Sequence, residues 1–155
     1  MTAYLSLGSN LENRGEHLRR AISELPGVRK ISSIYETEPA DMVHQPWFLN
    51  CVVELETALP PDELLSSLQA VEAKHGRVRS TGRGPRTVDI DILSYGDQVI
   101  STPALTIPHP RMATRRFVLE PLAEIAPDFL HPVTGQTAAR MLAEVTDPLA
   151  VRKVS

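Results

Sequence analysis

Two aspartates and a cluster of arginines lie close together in the middle of this chain of 155 residues. Asp89 and Asp91 are two residues apart, so on a β-strand both carboxylates point to the same face. Two carboxylates that face one point repel each other unless a positive charge lies between them. Mg²⁺ suits such a pair, because it prefers hard oxygen ligands and often keeps water and substrate phosphate in its remaining positions. We therefore predict a magnesium site on this strand.

The segment before the strand offers a grip for phosphate. Its arginines carry planar forks of donors that match phosphate oxygens, and its glycines and proline suit turns or a close approach of the backbone to a ligand. Each feature alone has a plainer explanation, since Asp-x-Asp also occurs on the polar face of edge strands and arginine-rich loops are often solvated. Together they indicate a metal-assisted site for a phosphorylated substrate such as a nucleotide. The residues concerned are Gly76, Arg77, Arg79, Gly82, Arg83, Gly84, Pro85 and Arg86.

Length and composition narrow the class of protein. We expect a single domain over residues 1–155, because the chain is long enough for a core and its 42% hydrophobic content is ordinary. A net charge of −3 argues against a protein devoted to nucleic acid. Cys51 is the single cysteine, so a disulfide within the chain and a cysteine-based metal site are excluded. With no apolar run of roughly 20 residues and no signal-peptide pattern, we expect a cytoplasmic protein without a membrane partner.

The hydrophobic pattern predicts the elements that hold these residues. Strands are predicted at 3–7, 28–37, 48–55 and 87–95, and helices at 12–25 and 60–75, with a short return strand at 99–100, a proline-framed loop at 106–112 and helices at 118–125 and 137–144 after them. This order is typical of the α+β, ferredoxin-like split βαβ sandwich, in which both main helices cover one face of an antiparallel sheet. The other face would be left for loops and ligand. We expect the loops at 38–46 and 77–86 to close over the substrates.

Seven different short motifs follow one another between residues 3 and 127. They are Leu7-Gly8-Ser9-Asn10-Leu11, Tyr35-Glu36-Thr37-Glu38-Pro39, Phe48-Leu49-Asn50, Gly76-Arg77-Val78-Arg79, Gly84-Pro85-Arg86-Thr87-Val88-Asp89-Ile90-Asp91, Ile107-Pro108-His109-Pro110-Arg111-Met112 and Arg115-Arg116-Phe117-Val118-Leu119. With these motifs the chain resembles the 6-hydroxymethyl-7,8-dihydropterin pyrophosphokinases of folate biosynthesis.

The resemblance implies a reaction that moves the terminal diphosphate of ATP to the hydroxymethyl oxygen of the pterin and releases AMP. It implies that Asp89 and Asp91 hold two Mg²⁺ ions, an arrangement that stabilises attacking and leaving oxygens together. The chain has no Gly-x-x-x-x-Gly-Lys-Ser/Thr loop. The catalytic grip on the phosphates is therefore expected from Arg77 and Arg86. We expect a monomer whose partners are its two substrates.

The resemblance also implies the substrate contacts. The implied pterin-binding residues are Thr37, Phe48, Asn50 and Phe117, and the implied ATP-binding residues are Gln69, Glu72, Arg79, Ile92, Thr106, His109 and Arg115. A flat heterocycle needs an aromatic face and a few polar partners on its edge, and an asparagine amide offers both a donor and an acceptor. Gln69 and Glu72 lie three residues apart on a predicted helix, so we expect them to share a face.

The chain departs from the family pattern in its arginine-rich loop. Arg83 precedes Gly84 where many relatives have an aromatic residue, and the segment from Ser80 to Arg83 is short.

Two other classes of protein remain as alternatives. An RNA-binding module would present several exposed aromatic residues on adjacent strands and a basic face. An Asp-x-Asp nucleotide-sugar transferase would need a larger nucleotide-binding domain.

Overall fold

The computed structural model describes residues 1–9, 14–38, 47–75 and 88–154. Within them the strands are β1 (Thr2–Ser9), β2 (Val28–Ile31), β3 (Tyr35–Thr37), β4 (Phe48–Glu56), β5 (Asp89–Tyr95), β6 (Ile100–Ser101), β7 (Thr106–Ile107) and β8 (Val151–Lys153). The helices are α1 (Arg14–Ser23), α2 (Pro61–Lys74), α3 (Arg116–Ile125) and α4 (Ala138–Glu144), with a 3₁₀ turn at Met112–Thr114.

A six-stranded sheet forms the centre of the fold. Its order is β5-β1-β4-β3-β8, and β2 also pairs with β4. All of these pairs are antiparallel, which confirms the predicted mixed fold with an antiparallel sheet. β1 is an interior strand, because β4 pairs along its whole length and β5 pairs on its other side. Within the described part of the chain, no helix is both long and apolar enough to cross a membrane.

The larger core lies between the sheet and helices α1 and α2. Side chains alternate along the central strands, so Leu5, Leu7 and Cys51 point to this side and are fully buried. Leu18 of α1 and Leu68 of α2 pack into the same cluster. α2 begins with proline and acidic residues in its first turn, which suits the free N–H groups and positive end of a helix N-terminus.

A second core on the opposite face corrects the prediction that this face is left for loops and ligand. Val52 of β4 and Leu93 of β5 point to it, and α3 and α4 cover them. The buried helix residues of this cluster are Val118, Leu119, Leu122, Ala138 and Met141. Burial of the apolar side chains on one half of this face is favourable. Only the other half of the same face therefore stays open.

The strand predicted over residues 28–37 is two strands, β2 and β3. Between them the ladder is irregular: the N–H of Ser32 donates to the carbonyl of Val52 at 2.9 Å, but the N–H of Val52 donates at 2.9 Å to the hydroxyl of Ser32. The next residue, Ser33, donates its N–H to the carboxylate of Glu124 on α3. β8 was not predicted at all, and its position beside β3 brings the C-terminal segment next to the open half of the sheet.

Candidate active site

Small and polar side chains line one end of three neighbouring strands, on the face away from α1 and α2. Gly8 of β1 pairs with Asn50 of β4 and with Asp89 of β5, and Ser6 pairs with Asp91. A cavity of about 400 Å³ opens over these residues. Among the described residues its lining is Ser6, Gly8, Thr37, Glu38, Phe48, Asn50, Asp89, Asp91, Thr114, Arg115, Phe117, Asp147 and Leu149.

The four predicted pterin-binding residues all line this cavity. The side-chain amide of Asn50 donates a 2.8 Å hydrogen bond to the hydroxyl of Thr37, and both residues are buried. Phe48 is the first residue of β4, and Phe117 lies in the first turn of α3. The cavity therefore combines an oriented amide with two aromatic rings, which is what a flat, polar-edged heterocycle requires.

Gly8 makes room for the Asn50 amide. A Cβ atom at Gly8 would lie 2.7 Å from Oδ1 of Asn50, which is closer than such contacts allow. The prediction from sequence missed Gly8 and its neighbour Ser6 as cavity residues. A signal was present, because a glycine inside a strand often marks a close approach of another group.

Asp89 and Asp91 face the cavity from β5, as the spacing predicted. Asp89 is half-buried and Asp91 is exposed. The residue between them is fixed from behind, since Oε2 of the buried Glu72 accepts a 2.8 Å hydrogen bond from the N–H of Ile90. β5 is an edge strand. The Glu72 carboxylate therefore supports its backbone between the two aspartates, whose side chains point into the cavity.

The two carboxylates suit Mg²⁺ by the chemistry of their donors. Both are hard oxygen ligands, whereas the thiol of Cys51 lies buried in the core behind the sheet. No group of three or more His, Cys, Asp or Glu side chains within the described ranges could hold a metal by itself. A pair of carboxylates leaves the remaining positions of Mg²⁺ to water and substrate phosphate, which is the mode this ion prefers.

His109 and Arg115 place donors near Asp91. Nδ1 of His109 accepts a 3.1 Å hydrogen bond from the N–H of Arg111, so its neutral ring carries the proton on Nε2. Burial lowers the pKa of His109; Asp91 opposes this effect, and Arg115 and Arg111 reinforce it. Burial and the Arg111 charge likewise lower the pKa of Arg115, yet a guanidinium stays protonated in proteins. The guanidinium carbon of Arg115 lies 5.4 Å from the ring centroid of Phe117.

Among the described residues that were predicted to contact ATP, Arg115 lines the cavity, and the others, including His109, do not. Ile92 is buried in the core with α1 and α2, and Thr106 is exposed on β7. Gln69 is exposed and Glu72 is buried. Residues three apart are neighbours on a helix surface, so the two side chains lie at the edge of the buried stripe of α2, and their contacts with ATP stay predictions. The predicted Arg77, Arg79 and Arg86 lie outside the described residues.

Two cavity residues come from a segment that the prediction left without a role. Asp147 and Leu149 belong to the C-terminal segment before β8, whereas Glu38 follows β3 and begins the predicted loop at 38–46. Hydrophobic periodicity could not have found Asp147 and Leu149, because the segment has neither a helical nor a clean alternating pattern. β8 forms through pairing with β3, a contact between distant parts of the chain.

Comparison with known proteins agrees with this geometry. The model of the family described as 7,8-dihydro-6-hydroxymethylpterin-pyrophosphokinase (HPPK) matches residues 4–127. The chain is 48% identical to the 2-amino-4-hydroxy-6-hydroxymethyldihydropteridine pyrophosphokinase of Bacillus subtilis, covering 79% of this chain and 77% of that protein. It is 43% identical to the folic acid synthesis protein fol1 of Pneumocystis carinii over 93% of this chain, which is 20% of that longer protein.

A solved structure shares the fold. The crystal structure of wild-type HPPK-DHPS from Plasmodium falciparum with pteroate matches 92% of this chain and 42% of that chain, with a TM-score of 0.73 and 16% sequence identity. The chain thus spans about a fifth of the fungal relative and less than half of the malarial protein. The family match covers most of the chain, and it includes the strands that carry the cavity. This chain belongs to the 7,8-dihydro-6-hydroxymethylpterin-pyrophosphokinase family.

Proposed function

We propose that this chain transfers the terminal diphosphate of ATP to the hydroxymethyl group of 6-hydroxymethyl-7,8-dihydropterin. The products are AMP and the pterin diphosphate, in tetrahydrofolate biosynthesis. One observation carries the proposal. A single cavity joins the Asn50–Thr37 pair and two phenylalanine rings to the carboxylates of Asp89 and Asp91. The site therefore has one end suited to a pterin and another suited to a metal-bound phosphate.

At the pterin end, Asn50 and Thr37 read the polar edge of the ring. Their mutual hydrogen bond fixes the amide, because Nδ2 is committed to Thr37 and Oδ1 is held over Gly8. A fixed amide recognises a ring edge at a lower entropic cost than a mobile one. Phe48 and Phe117 supply apolar surface for the faces of the ring.

At the phosphate end, Asp89 and Asp91 would hold Mg²⁺, and we expect two ions. When bound, Mg²⁺ neutralises phosphate oxygens and helps to hold the diphosphate in line with its attacker. Arg115 faces the same cavity with a fixed positive charge, and neutral His109 offers its Nε2–H as a donor. Arg77 and Arg86 stay predicted as further phosphate ligands.

The reaction balances without a covalent step on the protein. The hydroxymethyl oxygen forms a bond to the β-phosphorus of ATP, the bond from that phosphorus to the bridging α–β oxygen breaks, and the hydroxyl proton leaves. The contribution of the side chains is to align the two substrates and to stabilise the charge on the phosphate oxygens. AMP carries away the electron pair of the broken bond.

We also assign the sheet to the ferredoxin-like class. The order β5-β1-β4, with β2 and β3 on the far side of β4, supports this assignment because α1 and α2 connect its strands in the split βαβ manner. A monomer in the cytoplasm stays a prediction.

A product assay tests the proposed function. The chain is incubated with ATP, Mg²⁺ and reduced hydroxymethylpterin, and nucleotides and pterins are separated by chromatography. AMP should appear in equal amount to the pterin consumed, and it should not appear when the pterin is left out. Release of ADP, or AMP formation that is independent of the pterin, would refute the proposal.

A further inference from the structure

The C-terminal segment 147–153 lies beyond the residues that the family model matches, and yet it forms part of the cavity wall. We propose that this segment is a working part of the substrate site. Leu149 is an apolar contact of the pterin, and Asp147 is a positioning residue for the first turn of α3. The identity of the ligand rests on the proposed function, whereas the placement of the segment rests on the contacts that follow.

The segment is anchored to the strand that carries Thr37. β8 pairs with β3, with Val151 opposite Thr37. The ladder continues into the cavity wall, because the N–H of Glu38 donates to the carbonyl of Ala150 at 3.0 Å and the N–H of Ala150 donates to Oε1 of Glu38 at 3.1 Å. Leu149 lies two residues before β8, and this paired strand places it in the cavity wall.

A second anchor joins the segment to the start of β4. The guanidinium of Arg152 lies 5.0 Å from the ring centroid of Trp47, and its Nε donates a 2.8 Å hydrogen bond to Glu36. Trp47 immediately precedes Phe48, whose ring lines the cavity. The segment thus contacts β3 and the residue that directly precedes β4, and both strands supply predicted pterin ligands.

Asp147 caps the N-terminus of α3, although it lies 31 residues later in the chain than Arg116. Arg115, the residue before α3, makes no side-chain cap hydrogen bond, but Oδ2 of Asp147 accepts a 3.1 Å hydrogen bond from the N–H of Arg116. A carboxylate at a helix N-terminus satisfies a free N–H and favours the positive end of the helix dipole. Arg116 lies between Arg115 and Phe117, so Asp147 fixes the turn that aims both of these side chains into the cavity.

The same carboxylate also orients Leu149. Oδ1 of Asp147 accepts a 3.0 Å hydrogen bond from the N–H of Leu149, which closes a tight turn. Leu149 is half-buried and shares the cavity with the rings of Phe48 and Phe117. It supplies a third apolar surface, and a bound ring would remove that surface from water.

The Leu149 contact is tested by the binding of reduced hydroxymethylpterin, measured by calorimetry in the presence of a nonhydrolysable ATP analogue and Mg²⁺. Leu149→Ala should weaken pterin binding roughly tenfold, since it removes most of an apolar side chain from the contact. Leu149→Met should restore most of the affinity. Leu130→Ala, which truncates an exposed leucine elsewhere, serves as the matched control and should bind as the wild type does. Equal affinity in wild type and Leu149→Ala would overturn this part.

The Asp147 role is tested by steady-state kinetics of two variants. Asp147→Ala removes the acceptor for Arg116, so KM for the pterin should rise several-fold and kcat should fall in the folded enzyme. Asp147→Asn keeps only one of the two acceptor oxygens, so it should recover part of the loss and its KM should stay above the wild-type value, and Asp128→Asn is the exposed control. A lower melting temperature with unchanged KM and kcat in both variants would show a merely structural role and overturn the proposal.

The outcomes separate this inference from the proposed function. If wild-type protein neither binds nor consumes the pterin, the proposed function fails. If wild-type protein binds it and the Leu149 and Asp147 variants match their controls, only the present inference fails. Should Asp147→Ala not fold, Asp147→Asn and Leu149→Ala still decide, because a wild-type pterin affinity and KM in both would overturn the proposal.

Discussion

Asn50 donates its side-chain N–H to the hydroxyl of Thr37 across two neighbouring strands, at 2.8 Å and with both residues buried. Buried polar side chains are costly unless they are satisfied. This pair satisfies one donor of the amide and leaves its orientation fixed at the floor of the cavity. The arrangement is therefore a rigid edge for a ligand that carries its own donors and acceptors.

Asn50→Ala should weaken binding of the reduced pterin by roughly tenfold or more, because it removes the amide that reads the ring edge. Affinity for the ATP analogue alone should change little, because Asn50 lies at the pterin end of the cavity, and Asp89 and Asp91 lie at the phosphate end. Equilibrium calorimetry measures both affinities. Thr37→Ser keeps the hydroxyl acceptor and is the matched control. Normal pterin affinity in Asn50→Ala would exclude the assigned role.

Gly8→Ala should disturb the same amide without unfolding the protein. The added Cβ would lie 2.7 Å from Oδ1 of Asn50, which is a side-chain atom that can move. We expect a several-fold rise in KM for the pterin and a small change in melting temperature. Gly15→Ala on α1 is the control, because its Cβ would meet only ordinary contacts near 3.5 Å. If the two variants have the same KM, Gly8 is not needed for the cavity.

Glu72 should act mainly through the N–H of Ile90. Glu72→Ala leaves that buried edge N–H without its 2.8 Å acceptor, which should cost about 1–3 kcal/mol in the free energy of unfolding. Turnover should fall as well, because the segment between the two aspartates loses its support. Glu72→Gln keeps an acceptor oxygen, so it should retain most of both properties in urea unfolding and in the product assay. A loss of turnover in Glu72→Gln as large as in Glu72→Ala would instead assign the effect to the negative charge near the metal.

His131 should make the stability of the fold depend on pH. Its Nδ1 accepts hydrogen bonds from the N–H groups of Val133 and Thr134 at 3.2 and 3.3 Å, and burial lowers its pKa below the usual 6.5. The unfolded chain then binds more protons than the folded chain between the two pKa values. Stability is therefore fully present above pH 6.5 and is lost as the pH falls from there through the lowered folded-state pKa.

His131→Asn tests this dependence, because its side-chain oxygen accepts from the same N–H groups and does not titrate. The difference in free energy of unfolding between pH ~7.5 and pH ~5 should be smaller in the variant than in the wild type. Urea unfolding at the two pH values measures it. An identical difference in the two proteins would show that His131 is not the titrating group.

The sequence was sufficient for the parts of the site that depend on strand alternation. Asp89 and Asp91 lie two residues apart, and their shared face followed from the period of a strand. Thr37, Phe48, Asn50 and Phe117 followed from the family motifs, and the structure brings them together in one cavity. These residues lie in strands or a helix whose local pattern agrees with the final fold.

The sequence was insufficient where distant segments decide the structure. The break between β2 and β3 depends on hydrogen bonds of Ser32 to β4 and of Ser33 to α3. The roles of Asp147 and Leu149 depend on the pairing of β8 with β3, which no local propensity encodes. The second core was missed because it joins Val52 of β4 to helices that follow much later in the chain, and local periodicity does not show which face of a sheet such helices cover.

The most direct test of the central claim is phosphorus NMR of the pterin product after incubation with ATP and Mg²⁺. The spectrum should show two coupled phosphorus signals of a diphosphate ester on the pterin, together with AMP. Asp91→Ala should fold normally, because removal of one of two facing carboxylates relieves their repulsion, and it should form no pterin ester. A single phosphate ester with ADP as the other product, or undiminished ester formation by Asp91→Ala, would contradict diphosphate transfer at this site.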